Sequence, residues 1–271
     1  MRLATVRVPS GTTAVRVEDN YLVNLGVPDV GAVLARPDWA DWCATAQGPE
    51  LPGESADYAP VLPWPGKIIC CGLNYRAHAA ESGTEAPEFP ALFTKFPQTL
   101  LGAFDDLVLP PESDQVDWEA ELAVVIGRAG RRIAAADAAS HVAGFALLND
   151  VSLRDWQRRT TQWLAGKAFE ATTPFGPWLV TDGEATGREL ICEVDGTAFQ
   201  RANTRDLVHG AEDLVAYIST IVTLEPGDVI ATGTPSGVGA RQSPPRFLQP
   251  GEVLRTAIDG LGECRNTCVR R

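Results

Sequence analysis

No stretch of this chain approaches the roughly 18–20 consecutive apolar residues that a membrane-spanning helix requires, so no membrane partner is expected. The opening residues, Met1 to Pro9, lack the apolar core of a secretory signal. Cysteine is sparse, with six residues at positions 43, 70, 71, 192, 264 and 268. They form no CxxC pair, and Cys264 and Cys268 have no histidine nearby, which argues against a zinc site. Cys70 and Cys71 fall in the apolar run Ile68-Ile69-Cys70-Cys71 and read as packed thiols, and a reducing cytoplasm is the expected compartment. Positive charge is also short: 23 Lys and Arg against 35 Asp and Glu give a net charge of −12. That balance argues against a nucleic-acid or anionic-membrane partner. It does not exclude an anionic small substrate, because a bound divalent cation reverses the sign locally. The glycine-rich segment Thr232 to Gly239 lacks the Gly-Lys-Ser/Thr ending of a phosphate loop.

What is present centres on Asp117-Trp118-Glu119-Ala120-Glu121, which runs into Leu122 to Ile126 and stops at Gly127. The branched apolar residues predict a strand. Side chains on a strand alternate faces, so Glu119 and Glu121 share one side. Two carboxylates so close repel unless a cation lies between them, and Mg²⁺, Mn²⁺ or Ca²⁺ suits an all-oxygen set. An exposed strand face with two solvated acids fits the same spacing. A second apolar strand, Ala143 to Leu148, ends in Asn149-Asp150, and Asp150 would complete a three-carboxylate site. If a helical turn begins at Asp150, Arg154 and Gln157 share its face and offer a forked cation and a neutral hydrogen-bonding partner to a substrate carboxylate.

Other candidates follow the chain. Asn74 is placed to cap an alanine-rich turn that Gly83 ends, and within it His78 and Glu81 stand three apart on one face. A carboxylate beside a histidine fixes its tautomer and raises its basicity, as a general base requires. A surface His–Glu pair has the same spacing. Lys95 reads as a surface or structural lysine. Lys167, just after Gly166 and close behind the carboxylates, reads from spacing alone as a surface charge. Arg131 to His141 reads as a helix by composition, Asp195-Gly196 as a hairpin turn and Asp259-Gly260 as a turn in the strand-like tail, and His141 and His209 read as packing residues. Thr232 to Gly239 lets backbone N–H groups approach an anion closely, or is a turn between strands.

Taken together, these blocks resemble the fumarylacetoacetate hydrolase family. Gly72-Leu73-Asn74-Tyr75 leads to His78 and Glu81; Asp117 to Glu121, Asn149-Asp150 with Arg154 and Gln157, Gly166-Lys167 with Phe169, Thr232 to Gly239, and Gly260-Leu261-Gly262 with Arg265-Asn266 follow in order. Each block alone is weak; the ordered set, from residue 67 to the C-terminus, is specific. The resemblance implies an α+β, mostly β fold: a mixed β-roll catalytic domain over residues 63–271 with a small accessory N-terminal domain over residues 1–62, usually as a homodimer. It implies Mg²⁺ or Mn²⁺ held by Glu119, Glu121 and Asp150, with Ca²⁺ able to take the place. His78 and Glu81 become the catalytic dyad on a segment that closes over substrate. Lys167 sits at the substrate oxygen, with Arg154, Gln157 and the Thr234 hydroxyl as substrate contacts. Two positions depart from the type enzyme. Cys71 stands where it has a further metal-ligating aspartate, and Thr161 replaces an aromatic residue that contacts substrate.

The expected substrate is a small 2-oxo or 1,3-dicarbonyl acid, activated as an enolate on the metal. Hydrolytic carbon–carbon cleavage of an acylpyruvate-like acid is the leading reaction. Isomerisation or tautomerisation of a hydroxydienedioate, or decarboxylation of an oxaloacetate-like acid, uses the same enolate. A non-enzymatic metal-binding protein is the alternative from another class, but it gives the dyad and Lys167 no reason to accompany the carboxylates.

Overall fold

A computed structural model describes residues 1–270. The N-terminal strands β1 (Arg2–Val8), β2 (Gly11–Val17), β3 (Tyr21–Asn24) and β4 (Glu50–Pro52) form a meander, with α1 (Val30–Leu34) and α2 (Trp39–Thr45) between the last two. Next come β5 (Ile68–Gly72), α3 (Arg76–Glu81), β6 (Ala91–Lys95), β7 (Leu100–Leu101), β8 (Leu107–Val108), β9 (Val116–Asp117) and β10 (Ala120–Ile126). The middle holds β11 (Val142–Asn149), β12 (Ser152–Leu153), α4 (Arg154–Gln157), α5 (Leu164–Lys167) and β13 (Thr173–Val180). Last are β14 (Glu189–Val194), β15 (Thr197–Asn203), α6 (Ala211–Ile221), β16 (Val229–Ala231), β17 (Val253–Ile258) and β18 (Gly262–Val269). No helix among the described residues is long and apolar enough to cross a membrane.

The strands make one large sheet in the order β4-β3-β2-β1-β13-β11-β10-β16-β5-β6, with β7 beside β13, and a second sheet in the order β15-β14-β17-β18-β8. The N-terminal meander joins the large sheet through β1, where Arg2 faces Val180 and Leu3 faces Leu179. Strand β10 is buried along its whole length. Its even residues Leu122, Val124 and Ile126 pack into one core with residues of the second sheet and of α6. Its odd residues Ala123 and Val125 pack into another with α1 and β5. Period-two alternation therefore serves two apolar layers, and the sheet has no wet face at its centre.

Several local expectations hold. Asp195 and Gly196 both take positive φ in the β14–β15 turn, as a two-residue hairpin with matching twist requires. The tail folds back at Asp259-Gly260. Two expectations are corrected. Arg131 to His141 is not an α-helix; a 3₁₀ segment covers Ala135–His141 only. The N-cap of α3 is Tyr75, not Asn74. The Asn74 amide instead donates to the carbonyls of His209 and Thr232 and accepts from the His209 N–H, tying the entry of α3 to the segment after β16.

Candidate active site

Register brings the carboxylates together. Strands β10 and β11 are antiparallel with Ala120 facing Asn149. One step further the Asp150 N–H donates to the Glu119 carbonyl at 2.8 Å, so Glu119 and Asp150 continue the same ladder as opposing residues. Glu121, two residues along, lies on their face. The outcome is a buried cluster in which one oxygen from each of Glu119, Glu121 and Asp150 lies within 4.8 Å of the others.

Cations are built in around it. Lys167 Nζ bridges Glu119 Oε2 and Asp150 Oδ2 at 2.7 Å each. Lys95 Nζ, fully buried, holds Asp150 Oδ1 at 2.6 Å. Arg154 places Nε on Asp117 Oδ2 at 2.7 Å and Nη1 on Glu119 Oε1 at 2.6 Å, and Nη1 also donates to Gln157 Oε1 at 2.9 Å. Glu121 has no cation within ion-pair distance among the described residues; one oxygen accepts the Gly233 N–H at 2.8 Å. The titration behaviour divides accordingly. Burial pushes Glu119 up, but Lys167 and Arg154 outweigh it and hold the carboxyl at about 2. Burial, then Asp150 and Glu119, push Glu121 well above the usual carboxylate range. Burial opposes the charge on Lys167, yet Asp150 and Glu119 keep its ammonium protonated to unusually high pH.

Four buried carboxylates, counting Asp117, thus meet three buried cations, and the deficit falls on Glu121. A divalent cation fits that deficit and the all-oxygen donor set. Cys71 lines the same cavity but does not belong to the cluster, and burial holds its thiol up at about 12. The three-carboxylate set read from the sequence is therefore the set that the fold assembles.

His78 lines a cavity of about 550 Å³ together with Glu119, Glu121, Arg154, Gln157, Lys167 and Thr234. His78 Nδ1 donates to Glu81 Oε2 at 3.0 Å, which leaves Nε2 with its lone pair in the neutral ring. Glu81 Oε1 accepts the Gly237 N–H at 2.9 Å, so α3 is latched onto the glycine-rich loop. That loop grips anions as its composition suggests, but they are the protein's own. Gly233 binds Glu121, Gly237 binds Glu81, and the Gly239 and Ala240 N–H groups bind Asp117 at 2.6 and 2.9 Å. Gly233 and Gly237 have φ near +100°, and a Cβ at Gly237 would meet the Phe199 carbonyl at 1.9 Å, so neither position accepts a side chain.

Other expectations need adjustment. Asp150 and Arg154 do not share a helical face: β12 follows Asp150, and α4 begins only at Arg154. Arg154 forks onto Asp117 and Glu119, and its buried Nη2 is the part without a partner. The Thr234 hydroxyl donates to the Ala120 carbonyl at 2.9 Å and accepts from Gln200 Nε2 at 2.8 Å, so one lone pair remains for a ligand. Lys95, read as surface or structural, sits against the cluster. Asp117 carries four donors although the sequence reading assigned it no role; its position two before Glu119, in the same alternation, was the available signal.

The fumarylacetoacetate (FAA) hydrolase C-terminal family matches residues 67–269. The chain is 44% identical over 229 residues to human mitochondrial oxaloacetate tautomerase FAHD2B, covering 83% of this chain and 73% of that protein. Among solved structures, 5-carboxymethyl-2-hydroxymuconate delta-isomerase from Mycobacterium smegmatis superposes with TM-score 0.86 at 33% identity, covering 100% of both chains. Maleylpyruvate hydrolase from Sphingobium sp. SYK-6, solved with manganese(II) and pyruvate, gives TM-score 0.81 at 29% identity, covering 100% of this chain and 99% of that one. With a family match across the catalytic core and a full-length structural likeness to enzymes of this group, the chain belongs to the fumarylacetoacetate hydrolase family of enzymes.

Proposed function

We propose that the protein is a divalent-metal-dependent enzyme that enolises a 2-oxo acid, with keto–enol tautomerisation of an oxaloacetate-like 2-oxo dicarboxylate as its reaction. The observation carrying this reading is the meeting, in one cavity, of the Glu119–Glu121–Asp150 cluster, the Lys167 ammonium and a histidine whose tautomer is set by Glu81. Glu119, Glu121 and Asp150 would hold Mg²⁺ or Mn²⁺, and a bound ion would supply Lewis-acid polarisation of the 2-oxo group. His78 Nε2 takes the proton from the carbon next to that group, and Glu81 stabilises the imidazolium. Lys167 places fixed positive charge beside the oxygen that becomes negative. Arg154 Nη2 and the Gln157 amide orient the substrate carboxylate. His78 then returns the proton, to oxygen or to carbon according to direction. The named relatives favour proton transfer over cleavage.

Hydrolytic cleavage of an acylpyruvate-like acid is the second reading. It is supported by the same His78–Glu81 pair, which is equally suited to deprotonating water, and by the maleylpyruvate hydrolase likeness. A homodimer belongs to the proposal and is checked by light scattering. Incubating the Mg²⁺-loaded protein in D₂O with oxaloacetate, or with an acylpyruvate, and following both by NMR separates the reactions. Accelerated exchange at C3 of oxaloacetate with intact carbon–carbon bonds is expected. Cleavage of the acylpyruvate without oxaloacetate exchange selects hydrolysis, and inertness toward both refutes enolisation.

A further inference from the structure

The cavity wall carries more positive charge than the carboxylate cluster uses. Its only acids among the described residues are Glu119 and Glu121, whereas Arg154, Arg158, Lys167 and Arg241 all line it. Lys167 and Arg154 are committed to internal carboxylates. Arg158 and Arg241 are exposed toward the cavity, and neither guanidinium has a carboxylate within ion-pair distance among the described residues. In a chain of net charge −12, two unpaired arginines facing one cavity are a specific arrangement rather than background.

Their placement is braced. Arg158 follows Arg154 by one helical turn, so it lies on the same side of α4 and further from the cluster. Its neighbour Arg159 is turned aside by stacking on Trp156, with the guanidinium 3.4 Å from the ring centroid. Arg241 approaches from a different segment, a 3₁₀ turn spanning Gly239–Arg241. Both segments are fixed by one buried carboxylate: Asp117 accepts Arg154 Nε on the first and the Gly239 and Ala240 N–H groups on the second. We propose that Arg158 and Arg241 form a clamp for the distal carboxylate of a 2-oxo dicarboxylic acid, which rests on the enolising function proposed above. The near carboxylate and 2-oxo group lie at the Glu119, Glu121 and Asp150 end beside the free Nη2 of Arg154, and the far carboxylate reaches the two unpaired guanidiniums. An acid ending in a methyl group gains nothing there. These two residues, which touch neither the cluster nor the dyad, then set the preference for two negative charges over one.

Oxaloacetate and 2-oxobutanoate differ only by carboxylate against methyl at C4. Their dissociation constants for Mn²⁺-loaded protein, measured by calorimetry, give a preference ratio for the parent, for Arg158→Gln/Arg241→Gln and for Arg158→Lys/Arg241→Lys. Two solvent-accessible pairs predict that the ratio falls about tenfold in the glutamine double variant, with partial recovery in the lysine variant. In the parent it weakens as salt rises. An unchanged ratio in the glutamine variant, or a parent with no preference, overturns the clamp while leaving enolisation, read from C3 exchange, standing. If the parent binds neither acid, the functional reading falls and the clamp with it.

Discussion

Asp117→Asn isolates what the buried hub of this site contributes. The side chain is fully buried, and its four donors divide evenly. Oδ1 accepts from the Trp118 and Gly239 N–H groups at 2.8 and 2.6 Å, and Oδ2 from Ala240 N–H and Arg154 Nε at 2.9 and 2.7 Å. Asparagine has nearly the same shape, so no cavity opens, but it offers one oxygen and one NH₂. Whichever way the amide turns, two donors lose their acceptor and face another donor. At about 1.5–3 kcal/mol for each charge-assisted bond, and with Glu119 still holding Arg154 Nη1, the loss comes to roughly 3–5 kcal/mol, in the range for breaking a buried ion pair. For a chain of this size that lowers Tm by about 6–10 °C. Thermal unfolding followed by tryptophan fluorescence on metal-free protein reads it directly, without reference to activity. A Tm within about 2 °C of the parent would show that the Asp117 charge is dispensable, and the bracing of Arg154 and Gly239 by one carboxylate would be wrong.

Three further outcomes are expected. Glu119→Gln removes a charged donor from the cluster and lowers Mn²⁺ affinity about a hundredfold or more; calorimetry showing parental affinity places the ion elsewhere. His78→Ala leaves Mn²⁺ affinity within about twofold but slows C3 exchange by about 10²–10⁴, and an unchanged exchange rate assigns the proton to another base. Glu121, held protonated well above the usual range in the metal-free protein, must lose that proton to bind a cation, so Mn²⁺ affinity rises with pH through the Glu121 titration. Calorimetry in two buffers of different ionisation enthalpy should show proton release, and binding with none contradicts the burial argument.

The parts of the site legible in the sequence are those set by local periodicity. Alternation along Glu119-Ala120-Glu121 fixed their shared face, and His78 and Glu81 met because a short helix brings residues three apart together. Asp150 was legible as a strand end, but its place opposite Glu119 depends on β10–β11 register, which no local pattern specifies. The helical face drawn from Asp150 to Arg154 failed because β12 pairs with β9, placing Ser152 opposite Asp117, and a tertiary ladder overrode the spacing argument. Lys95 was obscure for a related reason. A lysine closing an apolar strand resembles any edge charge until the chain that covers it, here the Asp150 segment, is known. The glycine-rich loop reads as an anion grip without its anions, since the partners in all four of its bonds lie more than a hundred residues away.

The way charge is distributed between rigid and movable parts bears on the chemistry. Glu119, Glu121 and Asp150 stand on or beside two paired strands, β10 buried throughout and β11 buried except at Val142. The desolvation that this imposes is offset chiefly by side chains from other elements: Lys95 at the end of β6, Arg154 in α4 and Lys167 in α5. The dyad is held differently. α3 is a six-residue helix with no side-chain N-cap bond, and its Glu81 is fastened to the loop by a single backbone bond from Gly237. A cluster that must keep several like charges in fixed positions requires the first kind of support, because small displacements there alter large interactions. A base that accepts a proton and returns it at a different atom requires the second, because it must approach two positions on the substrate. The Glu81–Gly237 bond joins the end of α3 to the glycine-rich loop, as the Asn74 bonds join its entry to the segment after β16.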